Sequence, residues 1–164
     1  GKKLFYEKLL SKDNSISCGS CHAPENSFND KGKVLSEGVN GTLGLRNAMP
    51  LFNLAWVSVT SQRFNWHGST GSLEEQAFGP VRDPLEMKET WVNVVSKLQN
   101  STEYPPLFQK AFGTEIVDST LVVKAIAQFE IVEQSFRESN FLRSSYEALV
   151  LLNFYPHNKY PSLT

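Results

Sequence analysis

Five residues constrain this chain more than any other stretch: Cys18-Gly19-Ser20-Cys21-His22. Two cysteines separated by two residues and followed at once by a histidine are what a haem needs to be attached through its vinyl groups and ligated from one side. Spacing gives the reason. Within one helical turn both sulfurs face the same porphyrin edge, and His22, next in line, can swing beneath the iron as the proximal axial ligand. Other uses of neighbouring cysteines fit less well. A thioredoxin-like redox pair belongs between a strand and a helix, and the flanks 4–11 and 26–33 carry no strand pattern. A structural zinc site needs further ligands, and His67 and His157 are single and distant rather than paired. A disulfide closing so short a loop removes little chain entropy. The motif therefore predicts one covalent haem c.

Size allows a single domain, or one domain and a fragment of another, in 164 residues. With 16 basic against 17 acidic residues, no strong field draws the chain to nucleic acid or to an acidic membrane. The apolar run Ala148 to Leu152 falls far short of the roughly 18 residues of a membrane span, so none is expected. The opening GKKLFYEKLL reads as amphipathic helix with no signal-peptide core, which puts any secretion signal outside this sequence.

Along the chain, Lys2 to Leu10 reads as a first helix with Phe5 and Leu9 facing inward. Ser11 to Asn14 breaks it and offers caps for the turn that bears the cysteines. Ala23 to Leu45 is punctuated by Pro, Gly and Asn without apolar period, a long loop expected to wrap the cofactor. Arg46 to Ala55 reads as a turn entering a short helix with Pro50 at its first position. Arg63 to Gly68 is aromatic and turn-prone, and Ser72 to Glu75 spells a capping box whose helix should stop at Gly79-Pro80. Further helices are expected over Glu89 to Gln99, with Trp91, Val94, Val95 and Leu98 on one face, and from Tyr104 to Gly113. A longer one starts at Asp118 or Ser119, with Leu121, Ala125, Phe129 and Val132 as its stripe, and a weak one covers Leu142 to Asn153. Nothing in this order calls for a sheet.

Taken in order, these stretches resemble a known family: Leu4-Phe5 before Leu10-Ser11, the haem motif with Ile16-Ser17 ahead of it, Phe28-Asn29-Asp30, Arg46-Asn47-Ala48, Trp66-His67-Gly68, Leu73 to Ala77, Gly79-Pro80-Val81, Glu86-Met87 and Ala125 to Glu130. Together they resemble the N-terminal haem domain of bacterial di-haem cytochrome c peroxidases and the related MauG-like proteins, from Gly1 to about Ser139. The resemblance implies an all-α, cytochrome c-like fold over residues 1–140, with 141–164 an atypical tail. It places Gln76, Pro80 and Glu86 on the distal side of the peroxidatic haem, makes Trp66 an electron path and gives Asn47 the place of a calcium ligand. Chemistry supports Glu86, because heterolysis of a peroxide needs a group that takes one proton and returns it, as a carboxylate with a raised pKa can. Gln76 cannot move protons but its amide can hold a peroxide or water in line. Read alone, Glu86 and Gln76 would be solvated helix residues, Trp66 a core aromatic and Asn47 a turn residue.

Three departures accompany the resemblance. The loop that brings a second histidine to the iron in bis-histidine peroxidases reads Gly38-Val39-Asn40-Gly41 here, and valine cannot ligate iron. An open or water-ligated iron is therefore expected, with His67 a candidate replacement ligand. A second C-x-x-C-H motif is absent, and 141–164 departs from the interdomain segment, so the chain reads as truncated or shifted in frame. The resemblance makes the chain a peroxidase that reduces hydrogen peroxide with electrons from a cytochrome or cupredoxin. Its alternatives are a MauG-like oxidase of a protein side chain and a mono-haem electron carrier. A periplasmic location and a homodimer are expected.

Overall fold

The computed structural model describes residues 1–30, 32–55 and 63–135, and in them apolar residues spaced three or four apart have become helices. These are α1 (Lys2–Phe5), α2 (Cys18–Cys21), α3 (Leu73–Arg82), α4 (Trp91–Gln99), α5 (Tyr104–Phe112) and α6 (Ser119–Ser135). Short 3₁₀ turns cover Lys8–Leu10, Pro24–Asn26 and Val39–Gly41. Among the described residues β pairing is confined to isolated bridges, Ala23 with Asn29, Glu37 with Leu43 and Phe64 with Thr70. The all-α expectation holds. The tail and the weak helix from Leu142 lie outside the described residues.

Packing centres on α6, along which α3 and α1 both lie. Its buried positions are Val122, Val123, Ile126, Ala127, Phe129 and Glu130, whereas Leu121 and Ala125 are only partly covered. The stripe is thus rotated from the expected one, because α6 is clasped from two sides and buries a wider arc than a single face. Phe5, Leu10, Val94 and Leu98 complete the interior, each fully buried. Such side chains contribute about 1.5–3 kcal/mol apiece.

Local chemistry redraws several boundaries. The first helix is broken in two, because Glu7 accepts from the Leu9 amide at 2.9 Å and starts a separate 3₁₀ turn. That turn buries Leu10 and leaves Leu9 half-covered. Pro50 opens no helix; helical backbone begins only at Leu54, at the limit of the described residues. Ser72 Oγ accepts from the Glu75 amide at 3.0 Å, as its pattern requires, but Glu75 returns its carboxylate to Gly71 N at 2.8 Å rather than to Ser72. Pro80 does not stop α3, which runs on to Arg82. The ring removes the one bond that would join residue 80 to the Gln76 carbonyl, and burial of Ala77 and Val81 against α6 outweighs that loss.

Beyond α3 the chain folds back on it. Met87 N donates to Pro80 O at 3.1 Å and Glu89 N to Val81 O at 2.8 Å. Glu89 is then buried outside α4, paired with Lys97 at 2.7 Å. Lys97 also donates to Ser11 O at 2.8 Å and to Asn14 Oδ1 at 3.1 Å. One lysine ties α4 to the segment that leads into α2.

Candidate active site

Helix α2 is a single turn that carries Cys18 and Cys21, and its cap is local. Ser17 N donates to Ser20 Oγ at 2.9 Å, and Ser20 N to Ser17 O at 3.0 Å. The expected caps at 11–14 serve elsewhere: Ser11 Oγ accepts from Ile16 N at 3.2 Å. At position 19 a larger residue would displace Tyr6, since a Cβ there would sit 2.4 Å from Cδ1 of its ring.

His22 follows at the end of the turn, its backbone N donating to Cys18 O at 2.9 Å. Its Nδ1 lies 2.9 Å from Phe28 O, a carbonyl that can only accept, so the proton sits on Nδ1 and the Nε2 lone pair is left for a metal. Burial lowers the imidazole pKa, against the pull of the Phe28 and Met49 carbonyls and the Asp30 carboxylate. A neutral imidazole is the form that ligates iron.

Both cysteines are free thiols. Burial, then the Glu130 carboxylate, pushes the Cys18 pKa far up. Burial, then Asp30 and Glu86, raises Cys21 to about 11. A thioredoxin-like pair requires the opposite shift, which removes that reading. Among the described residues no cluster of three or more His, Cys, Asp or Glu is placed to hold a metal ion. Beside Cys21 a cleft of about 340 Å³ is lined by Ser20, Cys21, Glu37, Gly38 and Asn40. Two thiols on one turn, a neutral histidine with its lone pair free, and a cleft alongside fit a haem.

Two of the expected site residues lie along α3 and a third follows in the reversal after it, next to Met87, whose amide donates to Pro80 O. Gln76 and Pro80 are half-buried one turn apart, on the same side of the helix. Glu86 sits in the fold-back after α3, its amide donating to Asp83 O at 3.1 Å and its carbonyl accepting from Val39 N at 2.8 Å. Surface of its side chain is open, yet the protein around it, then the Asp83 charge, lifts its pKa to about 7. Its charge also bears on Cys18 and Cys21, so it shares their side of the molecule.

The loop clamps this carboxylate's backbone. A Cβ on Gly38 would lie 2.1 Å from Leu85 O and 2.6 Å from Glu86 O. Val39 is buried beside it, its backbone amide donating to Glu86 O.

The remaining expected residues form a surface patch instead. Trp66 is 53% exposed and its Nε1 donates to Asn47 O at 3.1 Å. Asn47 is exposed as well, and His67 Nδ1 accepts from Arg46 Nη1 at 3.0 Å. His67 is therefore committed to Arg46 on the surface.

Two carboxylates have no role in the sequence reading. Glu130 is 4% exposed with Oε2 unpartnered, and burial, then Glu74, raises its pKa to about 8. Asp30 Oδ2 is buried and unpartnered too. Both fell within recognised stretches, but only burial reveals them.

A family model described as di-haem cytochrome c peroxidase matches residues 1–149. A methylamine utilization protein MauG from Methylorubrum extorquens is 37% identical over 131 residues, covering 79% of this chain and 36% of that protein. The cytochrome c551 peroxidase of Nitrosomonas europaea is 35% identical over 130 residues, covering 79% of this chain and 37% of its own. Among solved structures, a MauG-like protein associated with microbial copper homeostasis superposes with a TM-score of 0.70 at 29% identity, over 88% of this chain and 43% of that one. The chain spans a little over a third of the length of these curated relatives.

Proposed function

The chain belongs to the di-haem cytochrome c peroxidase family, and from that premise we propose that it holds one haem c through Cys18, Cys21 and His22 and reduces hydrogen peroxide with electrons from a partner redox protein. The observation that carries the reading is Glu86, a carboxyl with a pKa near 7 on the same side as the cysteines, its backbone pinned by a loop that holds no histidine. Bound haem supplies the redox-active iron to which a peroxide can bind.

Protons are the protein's task. In this reading the Glu86 carboxylate takes the proton from the peroxide oxygen nearer the iron and returns it to the outer oxygen, which departs as water; Glu86 ends as it began. A pKa near working pH lets one group act both ways. The Gln76 amide holds the peroxide in line by donating to it. Pro80 fixes the wall of α3 behind it and frees the Gln76 carbonyl from its helical partner. Two electrons reach the site through Trp66, whose exposed indole is oriented by Asn47 O. The donor would be a cytochrome or cupredoxin, the compartment the periplasm and the assembly a homodimer. Residues 1–140 would be the haem domain, and calcium at Asn47 has only that one amide oxygen in its support.

The test is rapid mixing of the haem-loaded chain with hydrogen peroxide, followed by absorption. Glu86→Gln should react about 10²–10⁴-fold more slowly with an unchanged ferric spectrum. An equal rate removes Glu86 from the reaction. A ferric spectrum of the high-spin type is expected from an iron left open by Val39, and a low-spin one would favour an electron carrier.

Similarity to MauG favours a second reading, oxidation of a protein side chain with Trp66 as the point of exchange. Peroxide-driven loss of aromatic residues in a separate protein, abolished by Trp66→Phe, would select it.

A further inference from the structure

Tyr6 stands at the end of α1 with 39% of its surface open to solvent. Its inner edge presses on Gly19, so closely that a Cβ there would meet the ring at 2.4 Å. The phenol therefore rests on the turn between the two cysteines. Its ring stands edge-on to Phe5 with centroids 5.2 Å apart, and Phe5, fully buried, lies 6.4 Å from the His22 imidazole. Phe129 fills the angle, 5.1 Å from Phe5 and 6.2 Å from Tyr6. A series of neighbouring π systems thus leads from His22, the residue that would hold the haem iron, to solvent, and the route through Trp66 does not use it.

Tyrosine is the member of this series that can give up an electron readily, because its phenolic proton can leave with it. The other tyrosine among the described residues, Tyr104, is buried with its hydroxyl bonded to Glu7 at 2.5 Å. Tyr6 alone of the two joins the cysteine turn to the surface.

We propose that Tyr6 is a redox-active surface residue, oxidised when hydrogen peroxide meets the haem-loaded protein and no donor is present. The proposal rests on the peroxidase reading. The phenol sends one electron inward through Phe5 and His22 and releases its proton to solvent, becoming a neutral phenoxyl radical. The Tyr6 phenoxyl of that molecule takes an electron and a proton from the Tyr6 phenol of a second molecule on contact, and the phenol so restored sends a second electron inward and releases a second proton. Two phenols have then supplied the two electrons and two protons that turn one hydrogen peroxide into two waters. The two radicals then join by a carbon–carbon bond between their rings, giving a dityrosine with no further change in electrons.

The experiment compares the haem-loaded chain with its Tyr6→Phe variant, both treated with hydrogen peroxide alone. Dityrosine fluorescence, covalent dimer and mass mapping of the Tyr6 peptide are the readouts, with a nitroso spin trap to tag the radical where two rings do not meet. Wild type should show a dimer or trap adduct at Tyr6, reduced at least tenfold in Tyr6→Phe. Peroxide consumed while the Tyr6 peptide stays unmodified overturns the proposal and leaves the peroxidase reading standing. Peroxide consumed no faster than by the haem-free chain overturns both.

Discussion

Glu86 and Glu130 are raised by the same force, loss of water around a carboxylate, and their surroundings give them opposite uses. Glu86 keeps open surface and a pKa near 7, so its charge can change during a reaction at neutral pH. If the ionised form takes the first proton, the rate of reaction with peroxide rises with pH through about 7, and that inflection is absent in Glu86→Gln. Stopped-flow rates between pH 5 and 9 would check it. Glu130 is sealed in the core with one oxygen unpartnered, and it holds its proton up to about pH 8 where an unfolded chain loses it near 4.5. Between those values the folded state binds the extra proton, so its stabilising contribution is complete below about 4.5 and falls as pH rises, by up to about 1.4 kcal/mol per unit, until about 8. Glu130→Gln, which cannot ionise, should lose less stability than wild type over that window. Urea unfolding in a pH series reads the difference, and parallel curves would show that Glu130 does not titrate there.

Elements position these residues by contacts that no pattern of one segment announces. The loop around Gly38 and the fold-back after α3 meet backbone to backbone, so Gly38→Ala forces Leu85 and Glu86 to move. It should cost about 1–3 kcal/mol and displace the pH inflection of the peroxide reaction, whereas a merely loosened loop would lower stability and leave the inflection in place. The Glu89–Lys97 pair secures the other flank. Burial alone would raise the Glu89 pKa, but Lys97, Thr90 and Asn93 outweigh it and lower the value. Lys97→Met strands that carboxylate and should cost about 3–5 kcal/mol in thermal or urea unfolding, partly restored by adding Glu89→Gln. These examples show what a sequence exposes. The helix start at Ser72, where a side-chain oxygen caps within three residues, was legible, as was the stop at Gly113, whose φ of 76° suits glycine, whereas α4 begins at Trp91, capped by Thr90, two residues past the expected Glu89. The run of α3 through Pro80 was not, because burial against α6 decides it, and neither was the cap at Ser17, because Ser11 offers the same chemistry nearby.

At the scale of the whole molecule, the sequence carries the haem motif openly because its chemistry is local, while the proposal that Gln76, Pro80 and Glu86 act at one site comes only through resemblance, since ten residues and a reversal separate Gln76 from Glu86. The same contrast between local and distant support divides the fold in stability. Helices α3 to α6 hold most of the buried apolar side chains, Leu73 to Phe129. The stretch from Ala23 to Leu45 buries only Phe28 and Val39 among its larger apolar residues and is held by isolated bridges and short turns. It exposes Val34, Leu43 and Leu45, and it packs where the Cys21 cleft lies. Segments with so little burial open at low cost, and a ligand that binds only the closed form protects them by mass action. Trypsin should therefore cut the haem-free chain first at Lys33, ahead of Lys97 and Arg82 in the helices, and covalent haem should slow that first cut at least tenfold while leaving the helical sites as they were. Fragment masses over a time course, with and without haem, give the answer. Equal cutting at Lys33 in both states would mean that the loop closes on Glu86 by its own backbone bonds and owes the cofactor nothing.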